Sequence, residues 1–167
     1  MLYEGKYYMI ELKKISITDN NMKECIELEV SPEQTRFVAH NAVSLGQAYA
    51  ANKRGGCAVP YAIYEENVMV GFVMYGYLRR EIDDTFGEDC YYFWRLMIDK
   101  DHQRKGYGRQ AVKRILDEVK RKPIGAADHI YISYEPENTV AQTLYKSFGF
   151  EETGQIDDGE LVARLRI

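Results

Sequence analysis

Between Gln103 and Gly108 the chain reads Gln-Arg-Lys-Gly-Tyr-Gly, with an aromatic and apolar stretch before it (residues 92–98) and an amphipathic segment after it. Glycines at 106 and 108 let backbone amides approach an anion closely. A helix that starts directly after such a turn adds its own unpaired N–H groups and a partial positive charge. The chemistry this spacing suits is the cradling of a pyrophosphate. From His102 to Lys122 there are eight Lys/Arg and two acids, an excess of six cations (8 − 2) in a chain whose formal net charge is −4. A solvated basic helix face is the competing reading of the same residues. No Gly-Lys-Ser/Thr follows, so the turn is not a Walker loop. Nor is the spacing the GxGxxG of dinucleotide-binding folds.

A turn of this kind needs a strand to deliver the chain and a helix to carry it away. Residues 91–98 read as that strand. Ala111, Val112, Ile115, Leu116 and Val119 follow the i, i+3/i+4 rule of an amphipathic helix, and Lys122-Pro123 ends it. Upstream, residues 10–15 alternate as a first strand. Residues 18–21 offer several N-caps for a helix over 21–29, and a second short helix covers 43–51. Residues 58–65 and 67–80 form an antiparallel pair in which Gly71 and Gly76 mark a bulge or a close backbone approach. The acidic segment 81–89 is a loop. Residues 129–134 alternate as a strand. Asn138 is an N-cap candidate for a helix over 139–148 that ends at Gly149, and residues 160–167 are a last strand. The order strand, two helices, three strands, helix, strand, helix, strand predicts a mixed α/β fold in a single domain over 1–167. Residues 1–8 precede a second methionine, Met9, and read either as a short N-terminal extension or as a leader ahead of an alternative start.

Composition bounds the function. Hydrophobic residues make up 46% and charged residues 29% of 167 positions, as in a globular domain. No apolar run approaches the ~20 residues of a membrane span, and no signal peptide opens the chain, so the expected location is cytoplasmic with no membrane partner. The net acidic balance argues against a nucleic-acid binder, although the basic helix keeps that alternative in view. Cys25, Cys57 and Cys90 are scattered, with no CxxC pair or Cys/His ligand spacing. No metal site is expected.

The pattern Gln103-x-x-Gly106-x-Gly108 after an apolar strand resembles the acetyl-CoA signature of the GNAT N-acetyltransferase superfamily. A second segment, Asn138, Ala141, Leu144-Tyr145 and Gly149-Phe150, is similar to that family's downstream pattern, and the two occur in the family's order. The resemblance runs from about residue 58 to the C-terminus. It implies a central mixed sheet flanked by helices, in which two adjacent parallel strands (93–98 and 129–134) splay and acetyl-CoA fills the gap as co-substrate. It further implies that Met97 and Ile98 offer backbone groups to the pantetheine arm and the acetyl carbonyl. Gln103, Arg104, Lys105, Gly106, Tyr107 and Gly108, with Arg109, would wrap the pyrophosphate; Asn138 would contact the cofactor. Tyr145 would sit near the sulfur and protonate the departing thiolate. Residues 93–99, 71–76 and 30–34 are similar to bacterial spermine/spermidine acetyltransferases, which implies a polyamine acceptor that attacks directly in a ternary complex. The resemblance leaves a homodimer open.

Such a transfer needs a neutral amine, whereas an alkyl ammonium has a pKa of about 10. Glu33 and Glu135 are the candidate bases, with Glu29 a third. Glu29, Glu33, His40, Tyr75 and Trp94 are the candidate acceptor-site residues, since carboxylates attract a polycation and aromatic faces bind ammonium groups. Tyr77 and Phe93 belong to the same aromatic set. His102 shapes the phosphate turn, and Arg95 takes part in a buried ion pair or lies on an exposed face. Two other functions fit the same sequence: acetylation of another small amine or a protein N-terminus, and a non-catalytic acyl-CoA-binding module.

Overall fold

The computed structural model describes residues 9–167; the expected extension at 1–8 lies outside the described residues. In chain order the elements are β1 (Ile10–Lys14), α1 (Asn21–Glu27), a 3-10 turn (Pro32–Gln34), α2 (Asn41–Lys53), β2 (Cys57–Glu65), β3 (Val68–Leu78), β4 (Cys90–Ile98), a second 3-10 turn (Lys100–His102), α3 (Tyr107–Val119), β5 (His129–Tyr134), α4 (Thr139–Lys146), β6 (Glu151–Asp157) and β7 (Glu160–Arg166). One sheet holds the strands in the order β1-β2-β3-β4-β5-β7-β6. Its neighbours are antiparallel except β4 and β5, which run parallel. This is the mixed α/β fold the element order predicts.

β3 is a nearly unbroken apolar run because both faces of the sheet are covered. Val73, Tyr75 and Tyr77 enter the core under α3, with Val112, Ile115 and Val119. Phe72 and Met74 enter the opposite core with Cys25 and Ala48, under α1 and α2. Each large apolar side chain buried along α3 contributes about 1.5–3 kcal/mol, so this helix is a fixed base for the turn that precedes it. A Cβ on Gly71 would lie 2.5 Å from the Met97 carbonyl oxygen, and one on Gly76 2.8 Å from that of Cys57. Glycine at these positions is what lets the neighbouring strands approach.

Two irregularities open the sheet. Met74 pairs with Arg95 and Tyr75 with Phe93, so Trp94 is an extra residue in β4. Such a bulge bends its strand and re-aims the side chains beyond it. The β4–β5 register is confined to Tyr91–Ile130 and Tyr92–Tyr131. From Phe93 onward the two parallel strands part.

Several boundaries differ from expectation. α2 extends over Asn41–Lys53, while α1 and α4 stop at Glu27 and Lys146. The α1 cap position, Asn20, has φ 55 and makes no side-chain cap bond. Asn21 instead uses its amide to join β1 to the helix, accepting from Ser16 N at 2.9 Å and donating to Lys14 O at 3.0 Å. β6 has no counterpart in the sequence reading. It is an edge strand, Glu-Glu-Thr-Gly-Gln-Ile-Asp, exposed along nearly its whole length, so it carries no apolar alternation to betray it. Among the described residues no helix is long and apolar enough to cross a membrane, and no group of three or more His/Cys/Asp/Glu is placed to hold a metal ion.

Candidate active site

The turn after β4 has the backbone of an anion nest. Arg104 (φ 63) and Gly106 (φ 83) are both left-handed, a conformation that turns successive N–H groups toward one point. Gly106 is also the N-cap position of α3, with no side-chain cap bond, so the first turn of the helix keeps donors for a ligand. A Cβ on Gly106 would meet nothing within 4 Å. Glycine is required there by backbone conformation, and the space it faces is open. Arg104 and Lys105 are exposed beside it. Tyr107 contributes only backbone to the turn, because its ring is buried in the core and its hydroxyl donates to Glu65 on β2. A Cβ on Gly108 would lie 3.8 Å from the Ile98 side chain and 4.0 Å from that of Leu144, at ordinary contact distance. Arg109 donates to Ser147 Oγ at 2.7 Å and lies 4.7 Å over the Phe148 ring, which ties the start of α3 to the end of α4. His102 Nδ1 lies 3.4 Å from Asp99 Oδ1 and braces the turn at its entrance.

Gln103 connects three parts. Its Nε2 donates to Ile98 O (3.0 Å) and to Gln34 Oε1 (2.8 Å). The segment between α1 and α2 is thereby pinned to the end of β4. Beyond β4, Asp99 N donates to Val70 O at 2.9 Å, and the Met97 carbonyl faces Gly71. Alternation along an antiparallel ladder then directs the backbone groups of Met97 to β3 and those of Leu96 and Ile98 to the opposite edge. There, among the described residues, the N–H groups of Leu96 and Ile98 have no strand partner. Met97 itself buries its side chain in the core under α1 and α2.

Where β4 and β5 part lies a cleft of about 350 Å³, bounded by Phe93, Trp94, Arg95 and Leu96 on one side and Ile132 and Ser133 on the other. Residues 35–39 also border it, and Asn138, Ala141, Tyr145 and Glu160 complete the lining. Asn138 caps α4, accepting from Ala141 N at 3.1 Å, which fixes its side chain at the cleft wall. Tyr145 is 6% exposed. Its ring stacks on Tyr134 and meets Phe93 and Phe150 edge-on. Burial, reinforced by Tyr92 and Tyr134, pushes its phenol far above the usual value near 10, so it holds its proton at neutral pH.

A second cavity of about 510 Å³ shares Thr35, Val38 and Ala39 with the first and reaches Glu29, His40 and Met97. His40 caps α2, its Nδ1 accepting from Ala42 N at 3.2 Å. Glu29 accepts from Lys100 Nζ at 2.7 Å, and that partner holds its carboxyl below the usual range. Glu33 is exposed on the 3-10 turn, its pKa lowered by its own backbone N–H and the Ser31 side chain. Neither Glu33 nor Glu135 lines either cavity. Tyr75 lies on the far face of the sheet, donating to Glu118 of α3 at 2.7 Å, and Tyr77 donates to Ala126 O on that same face. Trp94 and Phe93 do line the cleft. Arg95 forms no salt bridge among the described residues. Its guanidinium donates to Trp94 O (2.8 Å) and Gln47 Oε1 (3.1 Å), and its buried Nε finds no partner.

Sequence reasoning passed over Glu160. It stands at the cleft, where the Ser133 hydroxyl donates to it, and Tyr92 Oη lies 2.7 Å from Ser133 Oγ. The available signal was Asp158-Gly159, a hairpin turn pair that would have revealed the β6–β7 hairpin and placed Glu160 beside β5.

A nest at a helix start, a parted pair of parallel strands and a buried tyrosine lining the cleft where they part make up the arrangement that the family resemblance implies for an acyl-CoA-dependent transferase. Residues 20–150 match the model of the acetyltransferase (GNAT) family. The chain belongs to that family and is an acetyl-CoA-dependent acetyltransferase. It is 32% identical over 148 residues, 88% of this chain and 93% of the relative, to a probable spermine N(1)-acetyltransferase of Bacillus subtilis subsp. natto (strain BEST195). It is 31% identical over the same shares to the spermine/spermidine N(1)-acetyltransferase of Bacillus subtilis (strain 168). Among solved structures it shares its fold with the PaiA N-acetyltransferase of Thermoplasma acidophilum in complex with coenzyme A, at TM-score 0.67 and 14% identity, covering 95% of this chain and 99% of that one.

Proposed function

We propose that this protein acetylates a primary amine of a polyamine, of the spermine/spermidine class, by direct attack on acetyl-CoA. The observation that carries the reading is the cleft at the parting of β4 and β5, lined by Tyr145, Asn138, Trp94 and Glu160, together with the anion nest in the turn that follows β4. The two Bacillus relatives support the choice of acceptor.

Bound acetyl-CoA supplies a thioester carbonyl to be attacked and a thiolate to leave. The N–H groups from Arg104 to Gly108 and the first turn of α3 hold the pyrophosphate, with Arg104 and Lys105 adding charge. The N–H groups of Leu96 and Ile98, which have no strand partner among the described residues, would donate to the pantetheine arm and the carbonyl oxygen, where fixed donors lower the barrier most. Asn138 and Ala141 form the adjoining wall. Tyr145 keeps its proton at neutral pH and delivers it to the leaving sulfur. Trp94, Glu29 and His40 border the route by which the acceptor enters. The test is CoA-thiol release from acetyl-CoA with a panel of spermine, spermidine, amino acids, an aminoglycoside and an N-terminal peptide. Saturable turnover with the polyamines is expected. Turnover confined to another member of the panel overturns the acceptor assignment.

A further inference from the structure

We infer that Glu160 is the carboxylate that receives the acceptor's ammonium and takes its first proton, held in position by Ser133. The inference rests on the amine-acetyltransferase reading above and assigns a residue that reading lacks. Glu160 is the carboxylate among the residues lining the cleft. The alternatives are placed otherwise: Glu33 and Glu135 line neither cavity, and Glu29 is paired with Lys100.

The surroundings of Glu160 suit the role. Ser133 donates to Oε2. A serine has one hydroxyl proton, so Tyr92 must donate to Ser133 in turn, and a chain from β4 through β5 fixes the carboxylate of β7. Oε1 has no hydrogen-bond partner among the described residues. The neighbouring cation, Arg95 on β4, directs its Nη groups to Trp94 O and Gln47 and makes no salt bridge with Glu160 among the described residues. The other acid facing this end is Asp157, paired with Glu160 across the β6–β7 hairpin. Arg95 acts on Glu160 through space without occupying its oxygens, so an ammonium entering beside Trp94 meets one positioned oxygen with no hydrogen-bond partner among the described residues.

The proton balance is complete. One ammonium proton passes to the Glu160 carboxylate and then to solvent. The freed nitrogen lone pair forms the N–C bond as the C–S bond breaks. The second nitrogen proton replaces the one Tyr145 gives to sulfur. The products are the acetylamide, CoA thiol and one proton.

Glu160→Gln is the test, with kcat/KM for spermidine measured from about pH 7 to about pH 9.5 and acetyl-CoA affinity measured by calorimetry. The expected result is a loss of about a hundredfold near pH 7, unchanged acetyl-CoA affinity, and partial recovery toward high pH as the amine deprotonates in solution. A purely structural role would not produce that recovery. Wild-type kcat/KM for Glu160→Gln overturns the inference alone, whereas a wild-type enzyme that turns over no amine overturns the reading beneath it as well. Should Glu160→Gln fail to fold, Ser133→Ala decides. A drop of about tenfold, the scale of one hydrogen bond to a charged group, supports the assignment, and an unchanged kcat/KM and pH profile overturns it.

Discussion

At the scale of single residues the chemistry depends on where a proton resides. The Tyr145 phenol is buried among aromatic rings, and that burial raises its pKa far above 10. A raised pKa means the protonated form persists to higher pH, so kcat has no falling limb from this group up to about pH 10. Replacing Tyr145 by Phe keeps the ring packing and removes the proton. kcat should fall about a hundredfold while acetyl-CoA affinity stays within about twofold; a parallel loss of affinity would show that the hydroxyl binds instead of donating. The aromatic residues illustrate what a sequence conceals at this scale. Trp94 and Tyr75 look equally suited to an acceptor channel, yet one lines the cleft and the other packs under α3. β3 is apolar on both faces, so its pattern does not say which face meets α3. The bulge at Trp94 then shifts side-chain alternation within β4 itself.

At the scale of elements, the turn from β4 to α3 was legible because its requirements are local. A left-handed glycine, an uncapped helix start and a run of cations lie within a few consecutive residues. Gly106→Glu forces a side chain onto φ 83 and projects a negative charge into the nest. Acetyl-CoA binding measured by calorimetry should become undetectable, and retained binding would remove the pyrophosphate assignment. Elements set by distant partners were harder to read. The segment between α1 and α2 is held by the Gln34–Gln103 amide pair, 69 residues apart in the chain, and nothing in either residue's neighbourhood announces the other. Gln103→Ala should free that segment and raise KM for the amine by several-fold, on the order of one or two hydrogen bonds, with less effect on acetyl-CoA affinity. β6 stayed hidden because a polar edge strand lacks the period-2 signal, and Glu160 stayed hidden with it.

At the scale of the whole molecule, the sheet is stabilised by a core on each face and a third, smaller cluster of Cys90, Tyr131 and Val162, and β4 and β5 part beyond Tyr92. Cys25 sits in the core under α1 and α2, and Cys90 under the β3–β4 loop; both are fully buried. Burial lifts each thiol from 9.0 to about 12. With the folded pKa above the unfolded one, the stability these thiols confer is complete below pH ~9 and is lost as pH climbs toward ~12, at up to about 1.4 kcal/mol per pH unit for each thiol. Chemical denaturation midpoints should hold steady between about pH 7 and 8.5 and decline above about pH 9. In the native protein at pH ~8 a thiol reagent should label Cys57 alone, since it is only half-buried, and should reach all three after denaturation. Prompt labelling of Cys25 or Cys90 would contradict this packing.

The central claim, that this cleft transfers acetyl groups to polyamines, is tested most directly by competition. Spermine, spermidine, a simple monoamine, an amino acid and an aminoglycoside are mixed at equal concentration with the enzyme and limiting acetyl-CoA, and the acetylated products are counted by mass spectrometry. The partition reads relative kcat/KM in one vessel. The account predicts that acetylated polyamines dominate the products. Predominance of any other acetylated amine, with the polyamines untouched, would contradict it.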